Sequence, residues 1–425
     1  MRARPAALAA WVVACAAAWP AAGADRLNLD DAFARVAASH PDLRLFGARG
    51  DALAAERERA SQRPALVAGA TLENAFGSGA YAGLGGAELT LTLASVLERG
   101  GKLDARRALA QSRIDALAVE REGRRLDLLA EVARRYLAVV AARRRGEIAQ
   151  ADVAQRERTV AAARQRLQAG ASPESVLLAA QAALARAELE RARAAQSERA
   201  ARQHLAALWG ERDPAFDVVD ADPAVLPAIG DVQTLGALLE RTPELAQFAD
   251  ERRIREARVQ LARTEATPDV DWQIGVRRLQ GSGDTALIGS LSVPLGAARR
   301  AAPGIRAAEA ELAALEIERE AKDLSLYATL VEAHGRYRQA QLEVQRLGED
   351  VLPRLAKAEA AAERAYRGGA LSYLEWAQLQ AERTSVRRQS LDAALDAQRA
   401  LIEIQRLTGQ AFVAGPAAPV QGTTP

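Results

Sequence analysis

Two glycine-centred stretches, "RLQAGASPESVLLAAQ" (166–181) and "AYRGGALSYLEWAQLQ" (365–380), decide the fold. Each interrupts a long run rich in Ala, Leu, Arg, Glu and Gln, a composition that favours helix. Gly170 and Gly369 stand at the same place in the two stretches, 199 residues apart, and glycine after a helical run is typical of a left-handed C-terminal cap. The pattern predicts two long helical hairpins whose tips turn in the same way.

The residues after each glycine predict how the second helix of each hairpin begins. In the first tip, Ser172 and Pro173 fit an N-cap followed by the first helical position. In the second tip, Ser372 and Glu375 fit the S-x-x-E capping box. Apolar residues before the tips follow coiled-coil spacing, so we expect each long helix to need lateral helix partners.

The whole chain repeats one order of features twice, which predicts a duplicated, pseudo-symmetric protomer rather than a solenoid. Each copy contains a helix, two short alternating runs, and a long helical hairpin. The predicted segments are a leader (1–24), a first repeat (25–210, with a strand pair at about 64–98 and a helical hairpin at 102–210), a linker (211–230), a second repeat (231–409, with a strand pair at about 268–295 and a helical hairpin at 300–409) and a flexible tail (410–425).

The short runs predict two β-hairpins with one apolar and one polar face. Residues alternate most clearly in 87–93 and 270–277, and each run is about ten residues, the length that a tilted strand needs to cross a bilayer. Four strands cannot close a barrel, and lipid does not tolerate an open sheet edge. The strands therefore predict an oligomer in which other copies cover the edges. The alternative is a soluble coiled-coil protein with two surface hairpins.

The start of the chain predicts export. Arg2 and Arg4 precede an apolar run, and Ala22-Gly23-Ala24 supplies small residues for cleavage, as in a secretory signal peptide. An alternative is lipidation at Cys15, the only cysteine. The full sequence holds 57 basic and 55 acidic residues, so removal of the leader leaves 55 of each. A neutral mature chain argues against nucleic acid as a partner.

No residue pattern in the sequence points to catalysis, a cofactor or a metal site. His40, His204 and His334 lie far apart without ligand spacing, and His40 before Pro41 fits a turn. The "GGK" at 100–102 reads as a strand-to-helix transition rather than a phosphate loop. We therefore expect a protein that is not an enzyme.

Five features of the chain carry a family resemblance: the two tips, the "HPDL" at 40–43, "LERGGKLDARRALAQ" at 97–111 and the "LSVPLG" strand at 291–296. Together they resemble the TolC-like outer-membrane factor family, most closely its cobalt-zinc-cadmium resistance branch. The resemblance implies a mainly α-helical protein with transmembrane β-barrel strands. It implies a homotrimer in which twelve strands close one barrel and twelve helices continue it as a periplasmic tunnel.

The same resemblance implies partners and site residues. A periplasmic adaptor would hold the tips, and an inner-membrane proton-driven transporter of the RND type would load the duct. Positions that match adaptor contacts are Arg166, Leu167, Gly170, Ser172, Tyr366, Arg367, Gly369 and Ser372. Glu375 matches an acidic gate position, and Gln378 stands where a second acid occurs in some members. A ring of Glu375 side chains would attract cations, although Glu375 also suits a plain helix cap.

The resemblance implies an exit duct in the outer membrane that extends into the periplasm, with divalent heavy-metal cations (cobalt, zinc, cadmium) as the expected cargo. Drug efflux and type I secretion use the same architecture and remain alternatives. A periplasmic adaptor or structural coiled coil is a different class. An adaptor carries one helical hairpin flanked by strand-rich domains, whereas this sequence duplicates its hairpin.

Overall fold

A computed structural model describes residues 26–219 and 221–412. The leader (1–24), with Cys15, and the tail beyond Phe412 lie outside the described residues. The strands are β1 (Arg26–Leu27), β2 (Val67–Glu73), β3 (Glu88–Leu97), β4 (Asp217–Val218), β5 (Val270–Leu279) and β6 (Thr285–Ser292). The helices are α1 (Leu29–Ser39), α2 (Pro41–Ala60), α3 (Lys102–Gln168), α4 (Glu174–Ala206), α5 (Val232–Gly236), α6 (Pro243–Thr264), α7 (Ala297–Arg346), α8 (Leu352–Arg367) and α9 (Tyr373–Thr408).

The two predicted β-hairpins join into one antiparallel sheet in the order β2-β3-β5-β6. Ala70, Leu91, Val276 and Leu287 form one row across the four strands, and apolar residues dominate that face. The side chains there are exposed, Leu287 to 86%. An apolar row that faces outward is the reverse of a water-soluble sheet, in which the apolar face is covered.

The opposite face of the sheet is polar and carries a charged cluster. Arg277 on β5 donates from Nε to Thr90 Oγ1 (3.0 Å) and from Nη1 to Glu88 Oε2 (3.1 Å), and Glu73 Oε2 on β2 lies 3.4 Å from Nη2. Thr90 is 3% exposed. These contacts tie three strands together across the polar face, which is compatible with water but not with lipid.

The helices continue the sheet as a row in the same order. Next to the sheet, α2 packs on α3, α3 on α6, and α6 on α7. Farther from the sheet, α4 packs on α3, α3 on α9, and α9 on α7 and α8. The two hairpins are thus α3–α4 and α7–α8–α9, and they meet through α3 and α9. The outer sides of the row are formed by α2 and α4 at one side and by α7 and α8 at the other.

Two buried tyrosines, one in each copy of the duplicated chain, pack in the middle of the row of helices. The Tyr136 hydroxyl on α3 donates to the Leu27 carbonyl (3.2 Å), and the Tyr337 hydroxyl on α7 donates to the Pro227 carbonyl. Burial raises the pKa of Tyr136 to about 12. Each ring packs in its own apolar cluster, so each copy fixes its entering segment against its long helix in the same way.

The second long helix departs from the sequence prediction. The helical hairpin predicted at 300–409 implies one unbroken helix up to the second tip, but Leu347–Val351 form a π-helical turn between α7 and α8. Pro353 follows in the first turn of α8 and has no N–H to donate to the preceding turn. The wider turn lets the helix pass the proline and continue to the tip. None of the helices within 26–219 and 221–412 is both long and apolar enough to cross a membrane.

Candidate functional site

The two tips close with the same backbone hydrogen bonds. In the first tip, Gly170 N–H donates to the Leu167 carbonyl (2.9 Å) and Ala171 N–H to the Arg166 carbonyl (2.9 Å). In the second, Gly369 and Ala370 make the equivalent bonds to Tyr366 (3.1 Å) and Ala365 (2.9 Å). This pair of bonds is the Schellman motif, which needs a left-handed residue. Gly170 has φ +67° and Gly369 has φ +81°, as the sequence predicted.

The helices that leave the two tips begin differently. Ser372 Oγ accepts from Glu375 N–H (3.3 Å) while Glu375 Oε2 accepts from Ser372 N–H (3.0 Å), so the predicted capping box is confirmed. The prediction for the first tip is wrong by one residue. Pro173 occupies the N-cap of α4 and Glu174 is the first helical residue. Pro173 has the extended backbone of an N-cap and is not yet helical, so Ser172 lies one position too early to cap α4.

Arg166 joins the first tip to the second. Its guanidinium donates to the Tyr366 carbonyl and, at 3.1 Å, to the Ala171 carbonyl, and lies 4.9 Å from the centre of the Tyr366 ring. A Cβ added at Gly369 would lie 3.8 Å from Arg166 Nη1, an ordinary contact, so the positive φ and not the space requires the glycine. Three of the eight predicted tip residues are therefore in one contact group, which holds the two turns side by side.

Tyr366 lies beneath the tip and not on its surface. It is 2% exposed and packs on Trp376, with ring centres 5.0 Å apart. Burial raises the pKa of the Tyr366 phenol, and the Arg166 guanidinium partly offsets this. In this conformation Tyr366 supports the tip rather than presenting a side chain to a partner. The more accessible tip residues are Leu167, Gly170, Ser172, Arg367, Gly369 and Ser372, of which Leu167 and Ser172 are half-buried.

Glu375 and Gln378 lie one turn apart on the exposed side of α9. The Ser372 side chain and backbone both donate to Glu375, and these bonds lower the pKa of its carboxyl. Glu375 is thus both a helix cap and an exposed anion. Glu382 lies four residues beyond Gln378 and is also exposed, and the sequence analysis does not predict a role for it. The signal was the i, i+3, i+7 spacing of the three polar residues, which places them on one face of the helix.

A buried polar network joins the two hairpins above the tip, and sequence reasoning missed it. Gln380 on α9 is 1% exposed; its Nε2 donates to Thr159 Oγ1 (2.8 Å) and its Oε1 accepts from Arg156 Nη1 (3.1 Å). Asp152 Oδ1 accepts from Thr384 Oγ1 (3.1 Å) and pairs with Arg156. The signal was the 4, 3 spacing of the α3 members, 152, 156 and 159, which reads equally well as a solvated face.

Two of the histidines have structural roles. His40 Nδ1 accepts from Asp42 N–H (3.2 Å) and caps α2, as expected of a turn residue. His334 Nε2 lies 3.2 Å from the Gly230 carbonyl. Within the part of the chain that the structure describes, no group of three or more His, Cys, Asp or Glu could hold a metal ion.

Long paired hairpins beneath a sheet whose apolar face is exposed define a class of protein, the outer-membrane channel subunit. The chain belongs to the outer membrane efflux protein family, whose model matches residues 33–211 and 234–410. The cobalt-zinc-cadmium resistance protein CzcC of Cupriavidus metallidurans is 30% identical over 291 residues, 68% of this chain and 68% of CzcC. The two matched segments follow the two structural copies.

Solved structures share the fold. A crystal structure of CusC has a TM-score of 0.75 at 17% identity, covering 93% of this chain and 96% of that chain. The outer membrane protein VceC of Vibrio cholerae has a TM-score of 0.69 at 19% identity, covering 91% of this chain and 97% of that chain. The protein is therefore an outer membrane efflux channel with a mainly helical, duplicated fold, and the family is one of ducts rather than enzymes.

Proposed function

We propose that the protein is the exit duct of a tripartite efflux system, that three copies form the working channel, and that its cargo is divalent heavy-metal cations. The observation that carries this proposal is the open-edged sheet with its apolar face outward. β2 and β6 each have a neighbour on one side only. Backbone groups at such edges must be paired in lipid, and three four-stranded sheets would pair all six edges in one closed barrel.

The two faces of the sheet indicate which side of the duct faces lipid and which faces the aqueous interior. The apolar face would contact acyl chains, while the cluster of Arg277, Glu88 and Thr90 would line the aqueous interior. The helices would extend from the barrel into the periplasm, with the tips at the far end. A periplasmic adaptor would bind the accessible tip residues, and an RND-type transporter would supply the cargo. Arg166 and Tyr366 would act by holding the tip in shape.

The metal cargo rests on two observations. CzcC, at 30% identity, is a cobalt-zinc-cadmium resistance protein. Glu375 and Glu382 lie on one exposed face of α9 near the tip, and in a trimer they would form acidic rings that attract cations. A duct needs no high-affinity metal site, because cargo that binds tightly would leave slowly.

Location and assembly are tested first. The full chain, expressed with its leader in a Gram-negative host, should fractionate with the outer membrane and run as a heat-modifiable trimer in mild detergent. The purified trimer should conduct in planar bilayers. A monomer recovered from the soluble periplasmic fraction would instead favour an adaptor or structural coiled coil.

Cargo is tested by deleting the gene and measuring growth over graded zinc, cobalt, cadmium, copper and silver beside dyes and antibiotics. We expect sensitivity to zinc, cobalt or cadmium that a plasmid copy reverses. Sensitivity to dyes or antibiotics without sensitivity to metals would be compatible with the proposed duct but would contradict the proposed metal cargo.

A further inference from the structure

A cavity of about 540 Å³ lies between α2, α3, α6 and α7, in the half of the helical row next to the sheet. Its volume is within the range of small-molecule binding sites. The apolar part of its wall is formed by Leu53, Phe248, Ile254 and Leu315. The acidic part is formed by Glu120, Asp250, Glu251 and Glu318. A wall that combines apolar surface with several carboxylates is suited to an organic cation.

The duplication of the chain offers an internal comparison for this cavity. Both α2 and α6 begin at a proline, and Phe46 and Phe248 stand at the same place in the two helices, 202 residues apart. In the first copy, the Arg49 guanidinium lies 5.3 Å from the centre of the Phe46 ring, which is a cation–π contact. In the second copy, Glu251 occupies the position of Arg49. Within 26–219 and 221–412, no arginine or lysine lies over the Phe248 ring, so an acid adjoins the ring whose counterpart is paired with a cation.

The charged groups around the cavity include more carboxylate than the neighbouring arginines neutralise. Arg255 is shared by two acids, because its Nε donates to Glu251 Oε1 (2.9 Å) and its Nη2 to Glu318 Oε2 (2.8 Å). Asp250 is 4% exposed. Arg253 bonds its Oδ1, whereas its Oδ2 is buried and receives no hydrogen bond from the part of the chain that the structure describes. Carboxylates that are incompletely paired in a half-enclosed site favour a positively charged ligand.

The arrangement of these acids favours an organic cation over a metal ion. No set of three or more His, Cys, Asp or Glu among the described residues is grouped closely enough to hold a metal, and the acids of this cavity are no exception. An ammonium group needs no converging ligands, because a ring face and nearby negative charge attract it. We propose that the cavity binds organic ammonium ions, with the cationic group over Phe248 as the Arg49 guanidinium lies over Phe46. The apolar body of the ligand would pack on Ile254 and Leu315.

The cavity lies on the side of the protomer that the polar face of the sheet occupies. Arg113 lines both this cavity and a neighbouring one that Glu98 and Arg106 also line. Glu98 directly follows β3, whose alternation places it on the same face as Thr90. In the proposed duct that face lines the aqueous interior, so the position of the site on the duct wall rests on the proposed function. The site adds organic ammonium ions to the metal cations as a class of cargo that the wall can hold.

Binding is tested on the purified full chain in detergent, with phenethylamine, which is protonated at neutral pH, as the probe. Phenylacetate is the anion of similar size, and ligand-detected NMR measures the Kd of each. We expect phenethylammonium to bind and phenylacetate not to bind. Asp250→Asn should raise the Kd of phenethylammonium roughly fivefold by removing a buried negative charge. Glu251→Arg should abolish binding, because it places over Phe248 the cation that the first copy carries over Phe46.

Asp396→Asn is the matched control, since Asp396 also pairs with an arginine three residues further on its own helix, Arg399 (2.7 Å). It lines a different cavity, to which no aromatic residue contributes, so the Kd should not change. If Glu251→Arg prevents folding, Phe248→Leu replaces it; this variant removes the ring, keeps an apolar side chain and should weaken binding several-fold.

The outcomes separate this site from the proposed function. Equal binding of phenylacetate, or an unchanged Kd in folded Asp250→Asn and in the Phe248 or Glu251 variant, overturns the site. Displacement of phenethylammonium by micromolar Zn²⁺ also overturns it, because the cavity would then be a metal site. A conducting trimer that does not bind the probe overturns the site and leaves the duct. A protein that binds the probe but neither trimerises nor conducts overturns the duct and leaves the site.

Discussion

The buried contact between Thr159 and Gln380 allows a quantitative test of what holds the two hairpins together. Both residues are 1% exposed, and Gln380 Nε2 donates to Thr159 Oγ1 at 2.8 Å. Thr159→Val keeps the side-chain volume and removes the acceptor, so a buried amide N–H group loses its partner. Leaving such a donor unsatisfied costs about 1–3 kcal/mol. We take about 2 kcal/mol as the expected loss in the free energy of opening this junction.

Hydrogen–deuterium exchange measures this opening in the detergent-solubilised protein. A loss of about 2 kcal/mol corresponds to roughly 30-fold faster exchange of amides that are released when the hairpins separate. We expect the increase in peptides covering 152–163 of α3 and 376–386 of α9, with little change in the sheet.

Thr329→Val on α7 is the matched control for this experiment. Its hydroxyl donates only to the Ser325 carbonyl of its own helix (2.9 Å), so its loss should change exchange little. Equal acceleration by Thr159→Val and Thr329→Val would show that a lost hydroxyl, and not the junction, is responsible. Unchanged exchange around residues 152–163 in Thr159→Val would refute the role we give to the network.

Three further predictions concern the tips and the sheet. Gly170→Ala should destabilise its tip by about 1–2 kcal/mol through the left-handed backbone alone, because nothing lies within 4 Å of the added Cβ. Hydrogen–deuterium exchange around 166–174 measures this loss. The control is Gly146→Ala, a mid-helix glycine equally free of neighbours, in which exchange around 166–174 should not change. The lowered pKa of Glu375 keeps this carboxylate charged below the ordinary glutamate range, so cation preference in planar bilayers should fade only as pH falls through the lowered pKa. Ser372→Ala removes the side-chain hydrogen bond that lowers this pKa most and should move the loss of cation preference to higher pH. Identical pH profiles of the two proteins would contradict this. Arg277→Leu leaves Glu88 and Glu73 without their cation on the polar face and should increase cation preference without abolishing the trimer. Reversal potentials in planar bilayers measure this preference, and unchanged values would place that face of the sheet away from the pore.

The turns and strands were predictable because their signals are local. Glycine at 170 and 369 marks positions that need positive φ, and Ser372 with Glu375 carries both halves of a capping box. Alternation in 87–93 set the two faces of β3, and the structure places Leu91 outward and Thr90 on the polar side. The error at Ser172 is also local in origin, since serine followed by proline matches a common N-cap pattern, whereas Pro173 itself is the N-cap, 199 residues before the N-cap Ser372 of the second tip.

The polar network and the π-turn were not predictable, because they depend on which helices become neighbours. Asp152, Arg156 and Thr159 have the spacing of a solvated stripe, and only the approach of α9 places Gln380 and Thr384 against them. The π-turn at Leu347–Val351 similarly depends on how α7 and α8 must both pack on α9 while passing Pro353.

By itself the sequence determined the duplicated order of elements, the equivalent turns and the apolar and polar faces of the strands, since propensity, glycine conformation and period-two alternation act over a few residues. Tertiary structure alone decided which of the duplicated surfaces cover each other inside the protomer and which remain open. The physical reason is that a linear row of helices and strands has two ends. Identical positions in the two copies, such as Gln380 and Gln181, therefore meet different surroundings once the chain is folded.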